Sequence, residues 1–258
     1  MTPTMPPVGE HIDAIEVAAS RLVAWATQAG PEVPVPTCPG WTVRDLLAHQ
    51  GMVHRWATAV VRGDDPRAVD DAALEAEGRE QQDPVAWLEA GAADLVTVLR
   101  AAPDDLDVMT FLREAPRPRA FWARRQCHET TVHALDGLAA ASGRTLTAAD
   151  VWLDDTLAVD GIDELLVGFW QRRTKGPRSE QPYTATVSVT GGPTWVLDVG
   201  QDHPWTRRLS GGDGIPADGR PLSGTAADLY LALWNRGGSV EDPTDLLTAW
   251  RGPGAISW

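Results

Sequence analysis

The hydrophobic periodicity of this chain changes near residue 145, and that change limits the folds the chain can adopt. Before residue 145, apolar residues recur at every third or fourth position, which is the spacing of an amphipathic helix. After it, the segment YTATVSVT at 183–190 alternates with a period of two and is rich in Val and Thr, which is typical of a strand. The sequence therefore predicts two domains, a helical one at 1–145 and a small α+β one at 146–258.

The helical domain is predicted to hold four amphipathic helices. One of them opens with Thr42 and Asp45, which resemble a capping box with Asp in the place usual for Glu or Gln. Another opens with Asp83 as N-cap and Pro84 at the first helical position. Four helices in about 140 residues predict a four-helix bundle with some long connections. The predicted helices cover approximately residues 12–26, 42–62, 84–99 and 118–142.

The α+β domain is predicted to mix helices with a small sheet. The strand at 183–190 is followed by Gly-Gly-Pro and then by TWVLDVG at 194–200, which predicts a β-hairpin. WTRRLS at 205–210 is a candidate third strand. Helices are predicted at about 148–173, from the Thr225 and Asp228 cap to Gly237, and at 241–250.

Charge and composition exclude several classes of partner. The chain has 22 basic and 36 acidic residues, a net charge of −14, and no basic stripe, whereas binding to nucleic acid or anionic membranes requires a positive surface. No apolar run approaches the ~20 residues of a membrane span, and the start MTPTMPPVGE lacks the features of a secretory signal. Two cysteines, Cys38 and Cys127, cannot build a disulfide framework, so the expected location is the cytoplasm.

Three residues have the type and spacing of metal ligands. Glu129 and His133 are four residues apart and share a helix face, and His49 lies in the middle of the apolar face of the second helix. Placed opposite each other in a bundle, they would offer two histidines and one carboxylate, as in catalytic zinc sites with an open position. The same donors suit non-haem iron or manganese, and a lone histidine on an apolar face is more often a core residue. The spacing alone leaves open both whether these residues bind a metal and which metal it would be.

Three further residues lie near these motifs. Cys38 is interpreted as structural because no base is paired with it in the sequence. Cys127 faces away from Glu129 by helix angle, which favours core packing. His54 lies about one turn beyond His49 and could contact either a substrate or other polar groups.

Three segments together resemble the motifs of one family. They are TCPGWTVRDLLAHQGMVHRWATAVVRG at 37–63, ARRQCHETTVHALD at 123–136 and SGTAADLYLALWNRG at 223–237. In this order they are similar to the mycothiol-dependent maleylpyruvate isomerase family, in the DinB-like metalloenzyme superfamily. The resemblance implies an N-terminal DinB-like four-helix bundle that holds zinc or another divalent metal, and a C-terminal α+β domain of sterol-carrier-like type.

The resemblance also implies roles for individual residues. Carried over by position, His49, Glu129 and His133 would be the metal ligands, and Arg236 would be the active-site arginine. Two neighbours of the ligands, Gln50 and His128, depart from the residues that many relatives have, so fold and metal transfer better than the substrate does.

The implied chemistry is a thiol-dependent reaction. A metal-bound thiolate of mycothiol would add to the activated double bond of a maleylpyruvate-like electrophile, and its loss after bond rotation would give the trans isomer. Arg236 would bind the substrate carboxylates through its planar guanidinium. The alternatives are a mycothiol S-transferase for detoxification or biosynthesis, and a non-catalytic protein that binds a metal and a ligand. The expected partners are a small electrophile and a low-molecular-weight thiol, and the expected oligomeric state is a monomer or a weak homodimer.

Overall fold

The computed structural model describes most of the chain, which folds as two compact units. The helical unit comprises Pro7–Phe111 and Ala115–Thr145, and the sheet unit is built mainly from Leu146 onward and includes Leu112–Glu114. The described residues are 5–172, 176–202, 204–210 and 213–251; residues 1–4, 173–175, 203, 211–212 and 252–258 lie outside them.

Five helices form the helical unit. They are α1 (Val8–Ala29), α2 (Val43–Arg62), α3 (Asp71–Glu80), α4 (Pro84–Ala101) and α5 (Pro118–Ser142). Helix α1 packs on α4 and α5, and α2 packs on α3, α4 and α5. Helix α3 was not predicted, because Gly78 is its only buried residue and its sequence therefore carries little apolar periodicity.

Capping side chains set where these helices begin. At α2 the Thr42 hydroxyl accepts a hydrogen bond from the Asp45 backbone N–H, and the Asp45 carboxylate accepts one from the Thr42 N–H at 2.9 Å. At α4 the Asp83 carboxylate accepts from the Ala86 N–H, with Pro84 in the first turn. Both predicted starts are confirmed.

Helix α5 is the most deeply buried helix of the unit. It is buried almost continuously from Phe121 to Ala140, yet its sequence is not uniformly apolar. Buried polar side chains are the informative exception in a protein core, because each needs a partner. Along α5 they are Arg124, Arg125, Gln126, His128, Glu129, Thr130, Thr131, His133 and Asp136.

The sheet unit contains four strands in the spatial order β3-β2-β1-β4. They are β1 (Tyr183–Val189), β2 (Thr194–Val199), β3 (Trp205–Arg208) and β4 (Arg220–Gly224). The predicted hairpin of β1 with β2 is confirmed, and β3 continues it antiparallel to β2. Strand β4 was not predicted. It pairs in parallel with β1, so that Val187 lies opposite Leu222.

The helix predicted at 148–173 is wrong. The segment instead forms a 3₁₀ turn at Ala148–Asp150, helix α6 at Asp155–Asp163 and a π-helical stretch at Glu164–Phe169. The break has a local cause, since the Asp154 carboxylate accepts a hydrogen bond from the Leu157 N–H and so starts a new helix. The apolar pattern of the sequence continues across Asp154, so it does not indicate that a new helix starts there.

Two short helices complete the sheet unit. Helix α7 (Ala226–Leu233) begins at the predicted cap, where Thr225 accepts from the Asp228 N–H, but it ends before the predicted Gly237. Asn235 then has a left-handed backbone with φ of 60°. Helix α8 (Leu246–Arg251) lies in the segment predicted to form a short helix. Across the described ranges, no helix is both long enough and apolar enough to cross a bilayer.

Candidate metal centre

Helices α2 and α5 bring the three predicted ligands together. One potential ligand atom from each of His49, Glu129 and His133 lies within 4.8 Å of the other two, and all three side chains are buried. Nε2 of His133 lies 3.4 Å from Oε1 of Glu129, and the two imidazole rings are 5.2 Å apart between centroids. Two segments that are far apart in the sequence thus converge on one point inside the helical unit.

The two carboxylate oxygens of Glu129 have different environments. Oε2 accepts a hydrogen bond from Nη2 of Arg125 at 2.9 Å, one helical turn away. Oε1 is buried and accepts no hydrogen bond from any residue that the structure describes. Burial alone would raise the pKa of Glu129, but His133 and Arg125 outweigh it and the pKa is lowered. Glu129 is therefore an ionised carboxylate with one oxygen available to a cation.

His133 is held by a second carboxylate on α5. Its Nδ1 lies 2.9 Å from Oδ2 of Asp136, which leaves Nε2 on the side of Glu129. Burial lowers the pKa of His133, but the neighbouring carboxylates of Asp136 and Glu129 prevail and raise it. Sequence reasoning did not assign a role to Asp136, although its position three residues after His133 places it on the same helix face.

His49 meets the other two from α2. Its ring lies 4.9 Å from that of Trp41, and its Nδ1 is 3.7 Å from Oε2 of Glu75 on α3. The pKa of His49 is lowered to about 4, chiefly by burial and then by the nearby His133. His49 is therefore neutral near pH 7, and neutral imidazole is the form that binds metal ions.

The donor set of this centre fits a divalent cation. It offers two imidazoles and a carboxylate with a buried oxygen that accepts no hydrogen bond among the described residues. Two histidines and one carboxylate are a common ligand set of zinc with a remaining open position, and they also suit iron or manganese. The types and the proximity of these side chains make His49, Glu129 and His133 a candidate site for such an ion.

A second group of potential ligands shares His133. One atom each from Cys38, His133 and Asp136 lies within 4.8 Å of the others. The thiol of Cys38 donates to Oδ2 of Asp136 at 3.4 Å, and the Thr37 hydroxyl donates to Oδ1. The loop that precedes α2 therefore contacts the carboxylate that supports His133.

A buried polar cluster continues along α2 and α5 next to the centre. Nε2 of His54 lies 2.7 Å from Nε2 of Gln50 and 2.9 Å from the hydroxyl of Thr130. The Thr130 hydroxyl donates to the backbone carbonyl of Gln126 at 2.7 Å. His54 is completely buried, and burial is the main reason that its pKa is lowered to about 3. His54 is therefore a neutral core residue with polar neighbours.

The predicted active-site arginine lies in the sheet unit. Arg236 follows α7 and is only 5% exposed, and its Nη1 donates to the backbone carbonyl of Trp234 at 2.6 Å. A buried guanidinium is uncommon unless its charge has a partner. The structure therefore places Arg236 within the sheet unit, with its guanidinium buried.

Two family models match the chain in succession. Residues 12–136 match the mycothiol maleylpyruvate isomerase N-terminal domain, and residues 156–253 match the MDMPI C-terminal domain. The chain belongs to the mycothiol-dependent maleylpyruvate isomerase family. The resemblance of the three motifs is thereby confirmed. His49, Glu129, His133 and Asp136 fall in the segment matched to the N-terminal domain of this family, and Arg236 falls in the C-terminal one.

Two solved structures share the fold of this family member. A crystal structure of the mycothiol-dependent maleylpyruvate isomerase has a TM-score of 0.62 at 15% identity, and one of a point mutant of that isomerase has 0.66 at 14%. Each comparison covers 99% of this chain and 100% of the solved chain. The shared fold is a helical N-terminal region followed by a domain with a small sheet. No significant match is found among curated proteins.

Proposed function

We propose that this protein is a metal- and thiol-dependent enzyme that isomerises the cis double bond of a maleylpyruvate-like electrophile, with mycothiol as the thiol. The observation that supports this most directly is the buried convergence of His49, Glu129 and His133 within 4.8 Å. Membership of the isomerase family supplies the reaction class. We further propose that the domain at 1–145 is a DinB-like four-helix bundle, made of α1, α2, α4 and α5 with α3 as an addition, and that the domain at 146–258 is of sterol-carrier-like type.

The charges of the centre favour an anionic ligand. Glu129 and Asp136 contribute two negative charges and Arg125 one positive charge, all on buried side chains. A divalent ion would therefore leave one uncompensated positive charge in a low-dielectric site, where it is costly. A monoanionic fourth ligand neutralises it, and a thiolate is such a ligand. The charge balance thus favours a monoanionic fourth ligand, such as a thiolate, over a neutral one.

Different residues of the centre are proposed to have different roles in this reaction. His49, Glu129 and His133 would hold the ion, which when bound supplies the Lewis acidity that lowers the pKa of a thiol. Arg125 keeps one oxygen of Glu129 engaged, so that the other would be the one available to the ion. The buried side chains of α2 and α5 around the centre would limit the access of water to a bound thiolate. The carbon–sulfur bond forms as the alkene π electrons move toward the conjugated carbonyl. After rotation about the resulting single bond, these electrons return to re-form the double bond, and the thiolate leaves with the electron pair of the carbon–sulfur bond.

Arg236 is proposed to bind the carboxylates of the substrate. A guanidinium matches a carboxylate with two parallel hydrogen bonds, which an ammonium cannot reproduce. Arg236→Lys keeps the charge and loses this geometry, so we expect turnover of a dicarboxylate to fall roughly ten- to a hundredfold, the equivalent of about 1.5–3 kcal/mol. Zinc content should not change. Equal turnover by the lysine variant would leave Arg236 without this role.

Metal analysis tests the centre itself. Protein purified without chelator should contain one divalent ion per chain, and His49→Ala, Glu129→Ala and His133→Ala should each remove it. His54→Ala is the matched control, because it replaces another buried histidine of the same helical unit without touching the proposed ligands. Wild-type protein without stoichiometric metal would overturn the proposal.

A product assay separates the three candidate functions. Cis electrophiles are incubated with and without mycothiol and followed by proton NMR. A trans product whose formation needs catalytic mycothiol supports the isomerase, and a stable thioether that consumes mycothiol supports the transferase. Binding of thiol with no turnover of any electrophile supports the non-catalytic protein.

A further inference from the structure

We propose that Asp136 is a positioning residue of the metal centre, acting through His133, and that the loop before α2 holds it in place. This inference rests on the proposed function, because it concerns how His133 presents a nitrogen to the ion. Asp136 is none of the three proposed ligands, and its side chain is completely buried.

The contact with His133 fixes which ring nitrogen faces the centre. Nδ1 of His133 lies 2.9 Å from Oδ2 of Asp136, and an ionised carboxylate can only accept a hydrogen bond. The ring proton of neutral His133 therefore stays on Nδ1, and the lone pair stays on Nε2. Nε2 is the atom that lies 3.4 Å from Oε1 of Glu129. Such a carboxylate–histidine pair orients a metal-binding imidazole and increases its basicity.

Asp136 is itself held from a distant part of the sequence. The Thr37 hydroxyl donates to Oδ1, and the Cys38 thiol donates to Oδ2 at 3.4 Å. Together with His133, these donors satisfy both oxygens of a buried carboxylate, which would otherwise be costly to bury. Thr37 and Cys38 thus have a shared task, which is to set the position of Asp136 and through it the orientation of His133.

The competing interpretation is that Cys38 and Asp136 are ligands themselves. Both lie close enough to His133 to share an ion with it. Asp136, however, contacts Nδ1 of His133, and Cys38 contacts the carboxylate of Asp136. The proposed centre rests instead on the group that His49 and Glu129 form with His133. The two interpretations differ in one consequence. Removing the Cys38 thiol should abolish binding if it is a ligand and leave it nearly intact if it only supports Asp136.

Zinc affinity of the metal-free protein tests the proposal, measured by competition with a chromophoric chelator. Loss of a carboxylate that supports a metal-binding histidine typically weakens metal binding 10–100-fold. We expect Asp136→Asn to weaken zinc binding by about that factor, with one ion still bound at saturation, and Cys38→Ala to change it by less than about threefold. Asp45→Asn is the matched control, because Asp45 is also an acidic partner of a threonine in the helical unit but lies at a helix cap.

Ring-nitrogen NMR gives a second measurement that does not depend on metal or activity. At a pH high enough for His133 to be neutral, the 15N shifts of this ring in metal-free wild-type protein should show the proton on Nδ1, and Asp136→Asn should shift the population toward the Nε2–H form. If Asp136→Asn fails to fold, Thr37→Val removes one supporting hydrogen bond, and its zinc affinity should fall measurably below that of wild type.

Each outcome decides between the possibilities. Wild-type zinc affinity in Asp136→Asn and Thr37→Val, or a neutral wild-type His133 ring with its proton on Nε2, would overturn the positioning role. Loss of the ion in Cys38→Ala would overturn it in favour of the ligand interpretation. If His49→Ala and Glu129→Ala bind zinc as wild type does, the proposed centre itself fails; if they lose zinc while Asp136→Asn keeps it, only the role of Asp136 fails.

Discussion

Nη2 of Arg125 lies 2.9 Å from Oε2 of Glu129, one turn apart on α5, and both side chains are only 3% exposed. Two opposite charges buried side by side are each costly alone, so each depends on the other. The pair also leaves Oε1 of Glu129 as the oxygen that can meet a cation. Arg125 therefore links the stability of α5 to the chemistry of the centre.

Removing Arg125 alone should strongly destabilise the metal-free protein. Arg125→Met leaves Glu129 as an uncompensated buried charge, and breaking such a pair costs about 3–5 kcal/mol. The double variant Arg125→Met/Glu129→Gln should regain part of that loss. Urea unfolding measures both. Arg100→Met, which breaks an exposed pair with Glu16, should cost less than about 1 kcal/mol. A similarly small cost for Arg125→Met would contradict the interpretation.

Acid should destabilise the metal-free protein through His54. Its pKa is about 3 in the fold, chiefly because of burial, against 6.5 as the ordinary value. The unfolded chain therefore takes up the proton first, so the contribution is complete above pH 6.5 and is lost as the pH falls toward 3.

His54→Gln should flatten this pH dependence. Between about pH 6 and pH 4, we expect the free energy of unfolding of the variant to fall less steeply, by about 1.4 kcal/mol per pH unit. Urea titrations at several pH values measure the slope. Gln126→Leu changes a neighbouring uncharged side chain, so its curve should keep the wild-type slope. An unchanged slope in His54→Gln would show that another group carries the acid sensitivity.

The approach of α2 to α4 depends on the absence of a side chain at Gly51. A Cβ at this position would overlap the ring of Trp87, whereas nothing lies within 4 Å of a Cβ at Gly9 in α1. We expect Gly51→Ala to lower the free energy of unfolding by about 1–3 kcal/mol through overpacking. Gly9→Ala should be neutral or stabilise by up to about 1 kcal/mol, because alanine is the better helix former. Adding Trp87→Leu to Gly51→Ala should restore part of the loss, and a stable Gly51→Ala protein would contradict the packing.

The sheet unit depends on a buried carboxylate of its own. Asp163 accepts from Nε and Nη2 of Arg208 at 2.6 and 2.8 Å and from the indole of Trp195 at 2.9 Å. The pKa of Arg208 is raised, first by its hydrogen bond with Asp163. Asp163→Asn should cost about 1.5–3 kcal/mol in urea unfolding, because it removes a charged hydrogen-bonding pair. Asp198→Asn, at an exposed position of β2, should cost under about 0.5 kcal/mol. Equal losses of unfolding free energy in the two variants would contradict the role of Asp163.

Features that depend on local chemistry were predictable from the sequence. The Thr42–Asp45 capping box needs only residues three apart, and the β1–β2 hairpin needs only a turn between two alternating segments. Features that depend on distant pairing were not. Strand β4 pairs in parallel with β1, with Val187 opposite Leu222, and no turn motif between the two strands indicates this pairing. The long helix at 148–173 failed because the apolar pattern continued across the break that Asp154 makes.

The candidate site divides in the same way. Glu129 and His133 were found from their spacing of four residues, and His49 from its place on an apolar face. Asp136 was missed, because its spacing of three residues from His133 places the two on one helix face but does not by itself indicate that they contact each other. Its partners Thr37 and Cys38 are 99 and 98 residues away along the chain, a distance at which spacing carries no information.

The separation of α2 from α5 along the chain has a consequence for how the protein is made. His49 is synthesised about 80 residues before Glu129. At roughly 5–20 residues per second, His49 is synthesised about 4–16 s before Glu129 and His133 are. Thr37 and Cys38 precede Asp136 by 99 and 98 residues, which corresponds to about 5–20 s at the same rate. An ion that needs all three ligands is therefore bound only after α5 has been translated, which can take place while residues 143–258 are still being made.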